Sequence, residues 1–295
     1  MFNIVEKRKI FFSISLVVII AGIIAMVAFG GLNADIDFTG GTTVYVDMGE
    51  NATENDVRDA LKSVNDIKIS SVQTAEDNQF IIRLNDVSTT VRDDVTKALA
   101  EKYEKSSVLS VDNVSPTVGS ELWGNAAMAL IIAIVLMLIY ISFRFELLSG
   151  LAAIIALAHD MLIMVAIYAI FRINVNTSFI AAMLTILGYS INATIVIFDR
   201  IRENSKLMTK ETFKEITNKS IWQTLARSIN TSLTTLIMIV VLYIFGVPSI
   251  KEFAFPLMIG IIAGTYSSIF IAGPVWSLIR GEAKDEAKKA KKANK

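Results

Sequence analysis

The single histidine of the chain, His159, stands next to Asp160, and both fall inside a long apolar run. An ionisable side chain at the centre of a membrane-spanning helix costs about 2.5–3.5 kcal/mol on insertion scales, so such residues are functional candidates by default. A desolvated carboxyl and an imidazole are suited to taking up and releasing protons near neutral pH. One reading is a proton-sensitive pair facing the neighbouring spans; the other is a structural polar group that hydrogen-bonds an adjacent helix. Consecutive residues project about 100° apart on a helix, so the two need not face each other. Arg227, just ahead of another apolar run, is either a cationic member of such a pathway or a side chain snorkelling to the interface. Tyr189, Ser190, Asn192 and Thr194 lie midway along a further run, where polar side chains bond another helix or water. Gly188 and Ala193 beside them offer small surfaces for close approach.

Other chemistries are poorly served. The chain has no cysteine, which removes disulfides, zinc–thiolate sites, iron–sulfur clusters and thiol nucleophiles. One histidine rules out multi-histidine metal sites and argues against a Ser-His-Asp triad. With 28 basic and 28 acidic residues the net charge is zero, which argues against nucleic-acid binding by bulk electrostatics.

The elements that must position these residues follow from hydropathy. Of the 295 residues 53% are hydrophobic, yet 19% are charged, so the two must be segregated along the chain. Six apolar runs stand out: Ile10 to Phe29, Leu122 to Phe143, Leu147 to Phe171, Ser178 to Phe198, Ile229 to Val247 and Phe253 to Ile279. Each is close to or above the ~20 residues a helix needs to cross the hydrocarbon. The first follows Lys7, Arg8 and Lys9, but it exceeds a signal-peptide core and reads as a retained span. Basic residues crowd alternate connections, including Arg144, the Arg200–Lys219 segment and the lysine tail, whereas the short opposite connections carry only Arg172 and Lys251. Both termini are therefore expected to be cytoplasmic, with the large first loop outside. The loop, Gly30 to Leu122, carries −9 and the remainder +9, so overall neutrality hides two opposite fields.

That loop reads as strand (Thr42–Met48), helix (Thr53–Val64), strand (Ile67–Thr74), strand (Gln79–Asn85), helix (Ser88–Tyr103) and strand (Ser107–Val114). Thr53 and Ser88 are the expected N-caps. The order βαββαβ is the split-βαβ, ferredoxin-like arrangement. The expected fold is thus a polytopic α-helical membrane protein with six transmembrane helices and an extracytoplasmic α+β domain between the first two. Its parts are residues 1–30 (cytoplasmic N-terminus and first span), 31–121 (outer domain), 122–279 (five-helix bundle) and 280–295 (basic tail). Gly40-Gly41 is either a hinge for the outer domain or an ordinary loop entering the first strand. Ser205 to Ser228 reads as an amphipathic interfacial helix. The tail from Lys288 to Lys295 reads as a solvated run that reinforces topology.

Several segments together resemble a known family. These are Asp37-Phe38-Thr39-Gly40-Gly41-Thr42, Ala158-His159-Asp160, the stretch from Gly188-Tyr189-Ser190 through Asp199-Arg200 to Asn204, Arg227, and Thr231-Ser232-Leu233-Thr234-Thr235. Over essentially its full length the chain resembles the SecF family, membrane subunits of the bacterial SecDF complex within the RND superfamily. The resemblance implies a non-enzymatic subunit that helps the Sec translocon export unfolded proteins, drawing on the proton-motive force and needing no other cofactor. It implies a SecD-like subunit, the SecYEG translocon, YajC-like and YidC-like membrane proteins and unfolded polypeptides as partners, in the bacterial cytoplasmic membrane. It also implies a proton pathway, with Arg227, Asp160, His159, Asn192 and Thr194 as candidates here.

One position departs. Where the family has Asn-Asp-Thr, this chain has Asn192-Ala193-Thr194, and a methyl group cannot carry a proton. Either this is an altered copy of a family sequence or it belongs to a lineage relying on other carboxylates. Two rival functions stay open: an RND-type proton-coupled exporter of small molecules, and a structural scaffold that moves no protons. Proton drive is energetically feasible. A charge crossing 100 mV releases about 2.3 kcal/mol, and driving a two-state domain from 1:99 to 99:1 takes about 5.5 kcal/mol.

Overall fold

The computed structural model describes residues 2–62, 69–75, 78–85, 91–144, 146–208 and 211–281. The chain enters as α1 (Arg8–Ala28), passes a two-residue strand β1 (Asn33–Ala34) and one helical turn α2 (Ile36–Thr39), then forms β2 (Gly41–Asp47), α3 (Glu54–Leu61), β3 (Ile69–Thr74), β4 (Gln79–Leu84), α4 (Val91–Lys102) and β5 (Ser107–Val114). Long helices follow: α5 (Pro116–Arg144), α6 (Leu147–Ile170), α7 (Thr177–Leu207) after a short strand β6 (Asn174–Val175), α8 (Phe213–Phe245) and α9 (Pro248–Ser267). A π-helical turn, Ser268–Ala272, prolongs α9, and helix continues to Gly281. Six helices, α1, α5, α6, α7, α8 and the α9 segment, are long and apolar enough to cross a bilayer, matching the six runs in number and place.

The sheet has the order β3-β4-β2-β5, and every neighbouring pair is antiparallel. Strand alternation puts Val44, Val46, Phe80, Ile82 and Leu84 on one face. Val57 and Leu61 of α3 and Val95 and Leu99 of α4 pack on that face and close the core. Helix α3 starts at a capping box: the Thr53 hydroxyl accepts from the Asp56 amide, while the Asp56 carboxylate accepts from the Thr53 amide. The expected cap Ser88, together with Val64 and Ile67, lies outside the described residues, as do Lys210 and the lysine tail.

In the bundle, α6 and α9 are the most enclosed helices, whereas α1, α5 and α8 keep much of their apolar surface uncovered. Helix α1 lies close against α6 because Gly22 has no side chain: a Cβ there would stand 2.4 Å from the Ala166 Cβ. One expectation needs correction. The segment from Ser205 to Ser228 is not a separate interfacial helix. Helix α7 runs on to Leu207, and α8 begins at a second capping box, Thr212 with Glu215, then continues unbroken to Phe245. Ile216 and Ile221, apolar residues of that segment, pack with Phe198 and Trp276 in a protein core. Of the two readings of Gly40-Gly41, the structure has the loop entering the first strand, and that corner is closely packed. Both residues have positive φ, 78° and 154°, and a Cβ would sit 2.7 Å from the Pro116 nitrogen at Gly40 and 2.3 Å from the Leu84 oxygen at Gly41.

Candidate functional site

Inside the bundle four helices bring polar side chains to one buried point. Asp160 of α6 has no solvent exposure. One of its carboxylate oxygens accepts from the Ser190 hydroxyl of α7 at 2.5 Å and from the Ser267 hydroxyl of α9 at 2.9 Å. The other faces Nδ1 of His159 at 3.0 Å, and Nε2 of that ring meets the Ser15 hydroxyl of α1 at 2.8 Å. Consecutive residues thus do meet here through their side chains. The Tyr266 ring stacks on His159 with centroids 5.9 Å apart, and its hydroxyl donates to the Phe11 carbonyl.

The donor count gives this cluster its chemistry. An ionised Asp160 can accept from Ser190, Ser267 and a His159 Nδ1–H, so its charge is met wholly by hydrogen bonds. A neutral imidazole with the proton on Nδ1 accepts at Nε2 from Ser15. A second proton on Nε2 reverses that bond, and the Ser15 hydroxyl must turn from donor to acceptor. The site can therefore hold one more proton without losing a contact. The same carboxylate also ties α6, α7 and α9 together. The π-helical turn starting at Ser268 begins immediately beyond Ser267, a kind of irregularity that recurs at functional sites.

The other candidates are distributed around this point. Thr194 is buried one turn beyond Ser190; Gly188 and Asn192 are exposed on the opposite face of α7, and Ala193 is half-buried. Arg227 is exposed and has no hydrogen-bond or ion-pair partner among the described residues, so the chain by itself does not bring it to Asp160. The Tyr189 hydroxyl reaches Thr235 of α8 at 3.5 Å. Asp199 is exposed, and Arg200 bonds Gln223 and Glu203. Ser15, Ser267 and Tyr266 were missed in the sequence. Their signal was the one that singled out Ser190, a polar residue inside a span, but it does not say which of many such residues meet.

A second polar centre joins the sheet to the bundle. Arg83 of β4 is only 9% exposed; its guanidinium reaches Asp35 at 3.3 Å, Gln73 of β3 at 2.8 Å and Glu252 of α9 at 2.7 Å. The other oxygen of Glu252 accepts from the side-chain amide of Asn176, the N-cap of α7. Burial pushes the Asp35 carboxyl above its ordinary value, and the nearby Arg83 charge opposes that rise. The Asp37-Phe38-Thr39 motif builds the same junction. Asp37 accepts from the amide and hydroxyl of Thr177 in the first turn of α7, Phe38 meets Trp123 edge-on, and the Thr39 hydroxyl bonds the Asp35 carbonyl. The short parallel pairing of β1 with β6, Asn33 with Asn174 and Ala34 with Val175, locks the two connections side by side. Among the described residues no three His, Cys, Asp or Glu side chains converge to hold a metal ion.

Comparison with known proteins covers nearly the whole chain. The family described as protein export membrane protein SecD/SecF, C-terminal, matches residues 94–282. The protein translocase subunit SecF of Acidaminococcus fermentans is 40% identical over 290 residues, covering 96% of this chain and 99% of that protein. The SecDF subunit of Bacillus subtilis is 40% identical over 94% of this chain but only 38% of its own length. Among solved structures, the translocon-associated SecDF of Thermus thermophilus superposes with a TM-score of 0.83 at 34% identity, over 95% of this chain and 39% of that one.

Proposed function

The chain belongs to the SecD/SecF family of protein-export membrane proteins, and from that premise we propose that it is a SecF-like translocase subunit coupling proton movement to work by an outer domain. In this reading the sheet domain, whose strand order supports a ferredoxin-like fold, faces outward, and both termini are cytoplasmic. A SecD-like protein is the partner. The fused relatives support this, since this chain accounts for 38% of one of them and leaves the remainder for a SecD part. The uncovered faces of α5, α7 and α8, with Asn192, Ala193 and Arg227 among their residues, are where that partner would lie. SecYEG, YajC-like and YidC-like proteins remain partners by family resemblance.

One observation carries the coupling. Helix α9 touches both polar centres: Glu252 near its start bonds Arg83 of the sheet, and Ser267 at its end bonds Asp160. The two residues are about 22 Å apart along a helix axis, at 1.5 Å per residue. Protonating Asp160 removes the charge that holds Ser190 and Ser267 together. A resulting shift of α9 would then be delivered to the outer domain through Glu252. The proton carrier in this reading is Asp160 with His159, so the methyl group at position 193 does not abolish the mechanism.

The test is protein export into inverted membrane vesicles, with and without a proton gradient, comparing the parent chain with Asp160→Asn. Loss of the gradient-dependent part of export, with normal insertion, supports the coupling. Undiminished export in the variant would reduce Asp160 to a structural polar group and favour the scaffold reading that Ala193 suggests.

A further inference from the structure

We propose that the free edge of β3 and the cavity beside it take up an extended segment of the exported polypeptide as an added β-strand. This rests on the export reading and names where the outer domain would hold its substrate. A cavity of about 560 Å³ lies between the sheet and the bundle, and four consecutive residues, Ser71, Val72, Gln73 and Thr74, border it. Successive side chains of a strand point to opposite faces. A run of four lining one space therefore presents the strand's edge, not a face. Strand β3 ends the sheet and among the described residues pairs only with β4.

The edge is guarded rather than closed. The Thr74 amide and hydroxyl donate to one carboxylate oxygen of the exposed Glu54, at 3.2 and 3.3 Å. That oxygen stands where the carbonyl of an incoming strand would accept, and both contacts are long. A charged side chain over an edge is a usual protection against unwanted pairing, and an exposed one is easily displaced. The Ser71 hydroxyl is shielded from solvent and has no hydrogen-bond partner among the described residues.

The opposite wall fits an occupant of variable sequence. Tyr168, Tyr243 and Phe255 line it together with Asn174. Backbone pairing along an edge supplies binding independent of sequence, and apolar pockets for alternate side chains add to it. Glu54 and Glu252 set two carboxylates beside Arg172 and Lys251. That mixed lining suits a polypeptide better than an anionic lipid headgroup.

The chain has no cysteine, so a single introduced one can be labelled cleanly. In membranes containing the full export complex, Thr74→Cys carrying a benzophenone maleimide is irradiated while an exported chain is stalled in transit. Ser110→Cys, exposed on β5 at the other edge of the sheet, is the control. The expected result is several-fold more adduct with the stalled polypeptide from position 74 than from 110. Adding Glu54→Ala should increase it, and removing one edge donor by Thr74→Pro should lower gradient-driven export. Adducts with phospholipid alone, or equal polypeptide adducts from both positions, would overturn the proposal. Those outcomes would leave the export reading standing, which falls only if export is the same without this chain.

Discussion

Ser190 of α7 and Ser267 of α9 donate to the same oxygen of Asp160, at 2.5 and 2.9 Å. One carboxylate therefore sets the spacing of two helices that share no sequence neighbourhood. In the proposed coupling, the protonation state of that carboxylate is what would move the two helices relative to each other.

Replacing Asp160 by Asn keeps the shape but fixes the group as neutral. Gradient-dependent export should fall to the level seen without a gradient, while the amount of chain inserted stays the same. Ser267→Ala should have a milder effect, since Ser190 and His159 remain. Its expected stability cost is about 1 kcal/mol, the usual contribution of one hydrogen bond, read as a small drop in thermal midpoint in detergent.

Arg83 and Glu252 form a largely enclosed pair across the junction. Removing Arg83 leaves both Asp35 and Glu252 without their cation, at a cost of about 3–5 kcal/mol, whereas removing Glu252 costs less because Asp35 still faces Arg83 at 3.3 Å. Arg83→Ala and Glu252→Ala should each loosen the sheet domain from the bundle, seen as faster proteolysis in the connections near Gly31 and Arg172. The double variant should be less damaged than the sum of the two. Strict additivity would show that the residues do not act on each other.

Gly22 has no room for a side chain against Ala166. Gly22→Leu should push α1 off α6 and separate Ser15 from His159, whereas overpacking of this kind ordinarily costs about 1–3 kcal/mol. The expected phenotype combines lower stability with a changed pH profile of export. A normal profile would mean that the Ser15–His159 contact plays no part in the pH dependence of export.

The Asp56 carboxyl is held below its ordinary value of 3.8, first by the Thr53 hydroxyl and then by the Thr53 amide. A folded-state value below the unfolded one means its contribution is present above about pH 3.8 and disappears as pH falls through the folded value. Thr53→Ala should cost about 1 kcal/mol as a lost N-cap. It should also return the Asp56 titration upward, which a carboxyl-resolved NMR titration would detect. An unmoved titration would show that the cap is not formed in solution.

Ala193 is half-buried on α7, and Arg227 of α8 is exposed with no hydrogen-bond or ion-pair partner among the described residues. Ala193→Asp should increase gradient-dependent export when a SecD-like subunit is present. Unchanged export would remove position 193 from any proton relay in this protein.

Sequence alone determined the six spans, because hydropathy over twenty residues is a local property. It marked strands β2 to β5 and helix α3 of the sheet domain, through strand patterning such as Phe80-Ile81-Ile82 and caps such as Thr53, but not the short β1 and α2. It also marked Asp160 and His159, since a charge among apolar neighbours is visible without any fold. What it left open was pairing. Arg83 read as a polar position on a strand, yet it is buried against Glu252, 169 residues away. Ser15 and Ser267 looked no different from the other serines in the spans until α1 and α9 closed on α6. Gly40-Gly41 allowed a hinge until Pro116 and Leu84 filled the space beside it. Periodicity tells which face of an element is apolar, but the partner of a polar side chain depends on how separate elements approach, and only the tertiary structure decides that.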